Sequence, residues 1–349
     1  MNEQIITQYL CCPQCGSGKL DVDAFERNGS EIRQAVVSCR ECHTWYRLED
    51  SLLELLVPEL RLSGSDAAFR ARMARSGKRW NYGSDSSAEG SGDAHKLGQK
   101  LFFDEGAAAY ETETMRLPFW RILNRSYLRS IAEWAKGSST MIEVGGGSGR
   151  ISIPVRKLFK TILSFDISEA IVRRAMRRLD KTAPKPTNIH FFIADAENIP
   201  IRSGRADVAI FTGILHHVAH PDRVISETAR ALKADGRLIG MENNRSLLRP
   251  LFDKLMKWKR LWNEEADPEH FIISARELHA WFAKAGVKGK AWTRVYVPPH
   301  VFNVLPDRAG EWLLRVTDAL GQRTPGLRHN GGLVFFSGEK TSGRRAVQA

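Results

Sequence analysis

Between residues 118 and 245, short apolar runs alternate with amphipathic stretches. A helix is predicted over residues 119–134, where Ile122, Leu123, Leu128 and Ile131 recur at helical spacing. The apolar runs between the helical stretches are predicted as strands, at 140–144, 162–166, 189–194, 207–211 and 237–241. This alternation predicts an α/β fold in which a parallel sheet carries helices on both faces.

The same pattern divides the chain into three parts. Residues 1–60 combine short β-like runs with all five cysteines and are predicted as a small domain. Residues 61–117 are predicted as a linker with lead-in helices, because the stretch 83–93 has no apolar face to bury. Residues 118–340 are predicted as the larger domain, with cap helices at about 246–285. A ligand of its sheet is expected at the carboxyl ends of the strands.

The composition is that of a folded protein without a membrane span. Hydrophobic residues make up 42% of the 349 residues, which is enough for a sizeable core. No apolar run approaches the ~20 residues that a membrane-spanning helix needs. The first residues lack the basic start and apolar stretch of a signal peptide. We therefore expect a cytoplasmic protein.

Charge is distributed unevenly along the chain. The net charge is +12, but residues 1–60 hold five Lys or Arg and ten Asp or Glu, a net of −5, which leaves +17 for the rest. A small domain that grips nucleic acid is normally basic. The acidic N-terminal domain therefore argues against RNA binding through that domain.

Four of the five cysteines form two CxxC pairs. Cys12 and Cys15 are separated by 23 residues from Cys39 and Cys42, and Cys11 is left over. Two such turns offer four thiolates, the tetrahedral ligand set of a structural zinc ion, with no open position for water. Disulfides of a secreted protein would be spread along the chain. The spacing therefore predicts a structural zinc site.

The second CxxC pair lies in a longer sequence pattern that carries a resemblance. It is followed by Trp45, Tyr46 and a Leu-Leu-Val-Pro run at 55–58. About residues 5–60 resemble the zinc-ribbon family of tRNA-methyltransferase activator subunits, whose free-standing members bind and support methyltransferases. The resemblance implies a zinc ribbon fused to a catalytic domain, and a protein partner reached through the ribbon.

A glycine-rich turn follows the first strand of the larger domain. Gly145, Gly147 and Gly149 permit a sharp turn and a close approach of the backbone to a ligand. Arg150 stands where a dinucleotide-binding fingerprint would need glycine. Glu143, ahead of the turn, suits a ligand with a cationic amino-acid tail better than a pyrophosphate. The three glycines and Glu143 are predicted to bind a cofactor.

Polar residues also end the next three strands. Asp166, with Ile167 beside it, ends the second strand, where a carboxylate can accept hydrogen bonds from both hydroxyls of a ribose. Asp195 ends the third strand and is predicted to accept an adenine amino group, with the Ala196 N–H on a ring nitrogen. Thr212 ends the fourth strand over the same pocket. One such acid alone would be better explained as a helix cap, but several in register favour a ligand.

These features resemble one large family of methyltransferases. The glycine turn, the acid of the second strand, Asp-Ala-Glu-Asn-Ile-Pro at 195–200, Leu-His-His-Val at 215–218 and the run 231–238 match its pattern. The family includes ubiquinone- and menaquinone-biosynthesis enzymes and many sugar and natural-product methyltransferases. The resemblance covers about residues 118–245. It implies a Rossmann-like class I fold with a mostly parallel seven-stranded sheet, and S-adenosyl-L-methionine (SAM) as cofactor.

Three histidines, one acid and one amide are candidates on the acceptor side. His216 and His217 follow the fourth strand near the expected methyl position, and they are the candidate catalytic residues. A general base is needed only for a poor nucleophile such as a sugar hydroxyl. The simpler interpretation is that one histidine packs and the other lines the pocket. Glu242, Asn243 and His270 are predicted to bind the acceptor.

Residues 246–262 are predicted as a basic amphipathic helix. Leu248, Leu251, Leu255 and Trp262 recur at helical spacing among Lys and Arg residues. Such a helix can meet a membrane surface or a phosphorylated acceptor. More often it packs on its own domain as a lid with a solvated basic edge.

Three functions are consistent with these residues. The preferred one is methyl transfer to a small molecule or a glycan, either free or lipid-linked. The second is methylation of rRNA or tRNA bases, which a pI near 9.6 favours; against it, the sequence has no Asn-Pro-Pro-Tyr-like motif. The third is a SAM-binding protein without catalysis that activates a partner enzyme.

Overall fold

A computed structural model describes residues 1–75, 77, 82, 93–182, 187–258 and 272–341. Within these ranges, eleven strands form one sheet. The strands are β1 Leu20–Asn28, β2 Glu31–Cys39, β3 Trp45–Glu49, β4 Leu52–Leu55, β5 Thr140–Val144, β6 Thr161–Asp166, β7 Ile189–Ala194, β8 Ala206–Thr212, β9 Leu232–Asn243, β10 Val287–Arg294 and β11 Leu333–Lys340. The helices are α1 Glu3–Tyr9, α2 Ser63–Arg75, α3 Ala94–Arg116, α4 Pro118–Trp134, α5 Ser152–Val155, α6 Glu169–Thr182, α7 Pro221–Ala231, α8 Arg249–Trp258, α9 Ala275–Lys284 and α10 Asp307–Arg323.

Strands β5 to β11 form the sheet of the larger domain. Their spatial order is β7-β6-β5-β8-β9-β11-β10. Neighbouring strands from β7 to β9 are parallel, whereas β11 runs antiparallel to both β9 and β10. The predicted α/β fold, a class I methyltransferase sheet of seven mostly parallel strands, is confirmed.

The four N-terminal strands continue this sheet. Strand β4 pairs in parallel with β7, from Leu53 opposite Phe192 to Leu55 opposite Ala194. Every residue of β4 is buried, as expected for a strand inside a parallel sheet. The predicted zinc ribbon and the larger domain therefore share one sheet of eleven strands, where the sequence indicated only seven for the larger domain.

A buried charge network joins the ribbon strands to helix α6. The Arg47 side chain is 8% exposed, and its Nε lies 2.6 Å from Glu54 Oε2. Its Nη2 lies 2.8 Å from Oε2 of Glu169, the first residue of α6. The Cys11 N–H also donates to the carbonyl of Pro200, just after β7, over 2.9 Å. The ribbon thus contacts two segments that follow strand ends of the larger domain.

Apolar side chains cover both faces of the sheet. One core lies between the sheet and helices α1, α7 and α9, and the other lies between the sheet and α4, α6 and α10. The helix predicted at 119–134 is confirmed as α4. It begins one residue earlier, at Pro118, because proline suits the first position of a helix.

Parts of three predictions lie outside the described residues, namely His270, most of the stretch 83–93 and the end of the basic stretch at 259–262. Helix α8 covers the described part of that basic stretch. Its Phe252 is buried, whereas Leu247 and Leu251 are 86% and 52% exposed.

Among the helices described, none combines the length and the apolar character that crossing a membrane requires.

Candidate cofactor pocket and metal centre

The four CxxC cysteines converge at one point of the ribbon. The sulfur atoms of Cys12, Cys15, Cys39 and Cys42 all lie within 4.8 Å of one another. The Cys12–Cys42 and Cys15–Cys39 sulfur pairs are each 3.5 Å apart. A tetrahedral zinc ion with Zn–S bonds of about 2.3 Å would place its sulfur ligands about 3.8 Å apart. The four residues therefore fit a zinc ion.

A buried tyrosine supports this cluster. The hydroxyl oxygen of Tyr46 lies 2.9 Å from the sulfur of Cys12, and its side chain is fully buried. A hydroxyl donor beside a thiolate ligand orients the ligand and offsets its charge. Tyr46 belongs to the run that suggested the ribbon resemblance, and no spacing rule singled it out as a partner of the cysteines.

A pocket opens at the carboxyl ends of β5 to β8, where a ligand of a parallel sheet is expected. The predicted residues that line it are Gly145, Gly147, Asp166, Ile167, Asp195, Ala196, Thr212 and His217. The sequence therefore located most of the pocket, at the strand ends where a ligand was expected.

The glycine turn brings the main chain close to the pocket. Gly145 and Gly147 have φ angles of +66° and +52°, which glycine adopts without strain. A Cβ on Gly145 would lie 2.7 Å from the side chain of Ile214, so glycine is also needed for close packing. The predicted Gly149 does not line the pocket, because its Cα faces Ile153, 2.8 Å from where a Cβ would stand.

Glu143 also lies outside the pocket lining. Its side chain is 2% exposed and accepts a hydrogen bond from the Ser164 hydroxyl over 2.8 Å. Burial raises the pKa of Glu143 to about 7. The carboxylate lies against the outer side of the glycine turn, where a Cβ on Gly146 would approach it to 3.0 Å. Its contact with a cofactor stays a prediction.

Asp166 has the acceptor capacity expected of a ribose ligand. Its Oδ2 accepts the Gly147 N–H and its Oδ1 accepts the Ser168 N–H, both over 3.1 Å. The Ile167 N–H also interacts with this carboxylate, and a carboxylate can accept about four hydrogen bonds in all, so acceptor capacity remains for a ligand. Desolvation raises the pKa of this carboxyl above its ordinary value.

The Asp195 carboxylate pairs with Lys96, a partner that the sequence did not indicate. Its Oδ1 accepts the Glu197 N–H over 2.9 Å. Its Oδ2 accepts Asn198 Nδ2 over 2.9 Å and the Lys96 ammonium over 2.8 Å. Lys96 belongs to α3, in the part of the chain that was predicted as a linker with lead-in helices. The same helix also places Gln99 and Phe103 in the pocket lining.

His216 and Glu242 form a close pair beside the pocket. His216 Nδ1 lies 2.7 Å from Glu242 Oε2. The other oxygen of Glu242, Oε1, accepts the backbone N–H groups of Ile214 and Leu215, each over 2.8 Å. Glu242, predicted to bind the acceptor, therefore orients His216 in this structure.

His217 and Asn243 occupy different positions. His217 lines the pocket, and its ring centroid lies 5.1 Å from that of Phe103. Burial lowers the pKa of His217 well below its ordinary value, so the ring stays neutral. Asn243 ends β9, and its carbonyl accepts the Ile273 N–H over 2.9 Å.

Comparison with known proteins gives matches to the larger domain. Residues 119–289 match the profile of a family described as a methyltransferase domain. A ubiquinone/menaquinone biosynthesis C-methyltransferase from Acidiphilium cryptum is 30% identical over 168 residues, which cover 46% of this chain and 65% of that protein. A protein of the same name from Vibrio cholerae is 22% identical over 156 residues, covering 42% and 60%. The chain spans less than two thirds of the length of these relatives.

Two solved structures share the fold. The magnesium protoporphyrin IX methyltransferase ChlM from Synechocystis PCC 6803, with bound SAH, aligns with a TM-score of 0.50 at 14% identity. The alignment covers 70% of this chain and all of that one. The 4+2 cyclase SpnF aligns with a TM-score of 0.52 at 18% identity, covering 72% and 98%. At these identities the likeness establishes the fold, and the fold alone does not fix the reaction.

Proposed function

Because residues 119–289 carry a methyltransferase domain, we propose that the protein transfers a methyl group from SAM to a small-molecule or glycan acceptor. One observation carries this proposal: the glycine turn, Asp166 and Asp195 converge on a single pocket at the carboxyl ends of the strands. When bound, SAM supplies a methyl group already activated by its sulfonium.

The residues of the pocket have distinct tasks in this proposal. Asp166 would accept hydrogen bonds from the ribose hydroxyls. The remaining lone pair on Asp195 Oδ1 is available to the adenine amino group, with the Ala196 N–H beside it. The turn at Gly145 and Gly147 lets the amino-acid part of SAM lie against the main chain. The acceptor would have to approach the methyl group in line.

A base is available for an acceptor that must lose a proton. With Nδ1–H of His216 donated to Glu242, the Nε2 atom carries the lone pair and can accept the proton. Glu242 also stabilises the imidazolium that results, as the carboxylate of a histidine–acid pair does. This arrangement supports a hydroxyl acceptor, because a free amine would need no base.

Zinc belongs to the proposal as a structural metal. Cys12, Cys15, Cys39 and Cys42 would supply all four ligands, leaving no coordination position for a substrate. The metal would thus hold the ribbon in the shape that pairs β4 with β7. A protein partner, if the ribbon has one, would meet the outer ribbon strands rather than β4, which is already paired on both sides.

We expect the Asp166→Ala variant to bind SAM at least tenfold more weakly. The loss corresponds to about 1.5–3 kcal/mol for hydrogen bonds to a charged group. Isothermal titration calorimetry would measure it, with Asp222→Ala as a matched control. Asp222 is a partly exposed acid that pairs with Lys284 away from the pocket. Equal affinity of the wild type and the Asp166→Ala variant would remove Asp166 from the site.

Three exposed apolar side chains, Leu247, Leu251 and Val304, lie on or next to helix α8 and the turn Pro299–Val304. These side chains are 86%, 52% and 82% exposed, and α8 packs against the turn Pro299–Val304. Both elements follow the carboxyl ends of β9 and β10, at the edge of the sheet that holds the pocket. Residues 245–258 contain four Lys or Arg and one Asp. A basic, apolar edge supports a lipid-linked acceptor presented by an anionic membrane surface.

We expect binding to phosphatidylglycerol vesicles that falls at least tenfold in a Leu247→Glu/Leu251→Glu variant, because each leucine contributes about 1.5–3 kcal/mol when buried. Vesicle sedimentation would measure it, with neutral phosphatidylcholine vesicles in parallel. Leu158→Glu is the matched control, since Leu158 is 45% exposed and precedes β6, at the opposite edge of the sheet. Equal binding of all variants would remove the membrane from the proposal and leave a soluble acceptor.

The reaction itself is tested with radiolabelled SAM and a cell extract divided into RNA, protein, lipid-glycan and small-metabolite fractions. The proposal expects label in the lipid-glycan or metabolite fraction, and none with Asp166→Ala. Nuclease-sensitive label in RNA alone would replace the proposal with RNA methylation. Tight SAM binding without label in any fraction would favour the non-catalytic activator.

A further inference from the structure

Helix α3 forms one wall of the cofactor pocket. Lys96, Gln99 and Phe103 line the pocket, and their spacing of three and four residues places them on one face of the helix. The helix precedes the methyltransferase domain in the chain, yet its face closes over the ends of β7 and β8. A ligand can therefore be enclosed only while α3 is docked.

Lys96 makes the most buried contact of this wall. Its ammonium lies 2.8 Å from Asp195 Oδ2 and 3.0 Å from Glu197 Oε2. The side chains of Asp195 and Glu197 are 5% and 1% exposed, and that of Lys96 is 12% exposed. Removing the cation would leave two carboxylates side by side in a buried place, which is strongly unfavourable.

Two further contacts hold α3 in the same position. His95 Nε2 lies 3.0 Å from the carbonyl of His217. Asp104 Oδ1 accepts the Ser168 hydroxyl over 2.6 Å and the Ala170 N–H over 3.0 Å, at the start of α6. These contacts anchor the helix at the rim of the pocket, and among them the Lys96 contact joins it to the predicted adenine ligand Asp195.

We propose that Lys96 is a positioning residue that closes the cofactor pocket: by bridging Asp195 and Glu197 it holds α3 over the adenine half of the site and slows the departure of the cofactor. The inference rests on the proposed function, since it assumes that SAM and its product S-adenosylhomocysteine occupy this pocket. Lys96 lies outside residues 119–289, which match the family profile, so the proposal adds a residue of α3 to the cofactor pocket.

The effect should appear in cofactor release rather than in methyl transfer. Lys96 contacts Asp195, the predicted adenine ligand, and Glu197. The proposed base His216 instead contacts Glu242. Replacing Lys96 should therefore affect how the cofactor is held more than the proton transfer.

The test is the dissociation rate of S-adenosylhomocysteine, measured by stopped-flow displacement with excess SAM. Lys96→Met should raise this rate at least tenfold, and Lys96→Arg, which keeps the charge, should stay within about threefold of the wild type. Lys233→Met is the matched control, because Lys233 forms an equally short pair with Asp207, 2.7 Å apart, away from the pocket. Thermal melts of all variants exclude unfolding as the cause.

The outcomes separate this inference from the proposed function. A wild type that binds neither compound contradicts the proposed function itself. Binding by the wild type together with an unchanged dissociation rate in Lys96→Met overturns the role of Lys96 alone. Slower dissociation in Lys96→Met also overturns it, since Lys96 would then compete with adenine for Asp195.

Discussion

Replacing His216 with alanine should lower kcat for methyl transfer about 100- to 10,000-fold, the usual contribution of a positioned general base. The physical reason is the 2.7 Å contact between His216 Nδ1 and Glu242 Oε2, which holds the proton on Nδ1 and makes Nε2 the nitrogen that can accept one. The affinity for SAM should change less than threefold, because His216 does not line the cofactor pocket. Steady-state kinetics on the acceptor identified by the labelling assay would measure both quantities.

The Glu242→Gln variant separates orientation from proton transfer. A glutamine carbonyl can still accept the N–H groups of Ile214 and Leu215, but its amide would face Nδ1 as a donor and favour the wrong tautomer. We expect a loss of about 10- to 100-fold in kcat, typical of a second residue that orients a functional histidine.

His279→Ala is the matched control, since His279 is an exposed histidine on α9. Its kinetics should equal those of the wild type. If His216→Ala kept more than about a third of the wild-type kcat, His216 would be a packing residue and the acceptor would be a group that needs no base. The simpler interpretation of the two histidines would then hold.

Local sequence patterns located the strands and the turn of the pocket for a physical reason. Strands buried on both faces, such as β5 with all five residues buried, appear in the sequence as short continuous apolar runs. Gly145 and Gly147 were recognisable because positive φ angles select glycine. Asp166 and Asp195 were recognisable because each directly follows an apolar run.

Other contacts could not be predicted from local patterns. Lys96 lies 99 residues before Asp195, and nothing in the spacing of α3 says which strand end it covers. The carboxylate of Glu242 contacts His216 rather than an acceptor because β8 and β9 are neighbours, which the sequence implies only through the family resemblance. The pairing of β4 with β7 could not be predicted either, because β7 becomes an edge strand of the sheet only when the larger domain has folded.

The ribbon and the larger domain should lose stability together when zinc is removed. We expect about one zinc per chain by elemental analysis, and none in a Cys12→Ser/Cys42→Ser variant, because structural zinc contributes about 10–16 kcal/mol to the folding of small zinc modules. That is comparable to the whole stability of a typical domain, about 5–15 kcal/mol. The ribbon of the variant should therefore be unfolded at 25 °C, as circular dichroism would measure.

The loss should extend to the cofactor site, because the ribbon covers elements that form it. Without the ribbon, β7 becomes an exposed edge strand, and Glu169, three residues after Asp166, loses its buried partner Arg47. Calorimetry should therefore show weaker SAM binding and a lower melting temperature in the double variant. Cys11→Ser is the matched control and should keep its zinc, since Cys11 lies outside the four-sulfur cluster. A folded wild type without metal would show that the ribbon does not need zinc. A double variant with unchanged melting temperature and SAM affinity would show that the ribbon does not support the pocket.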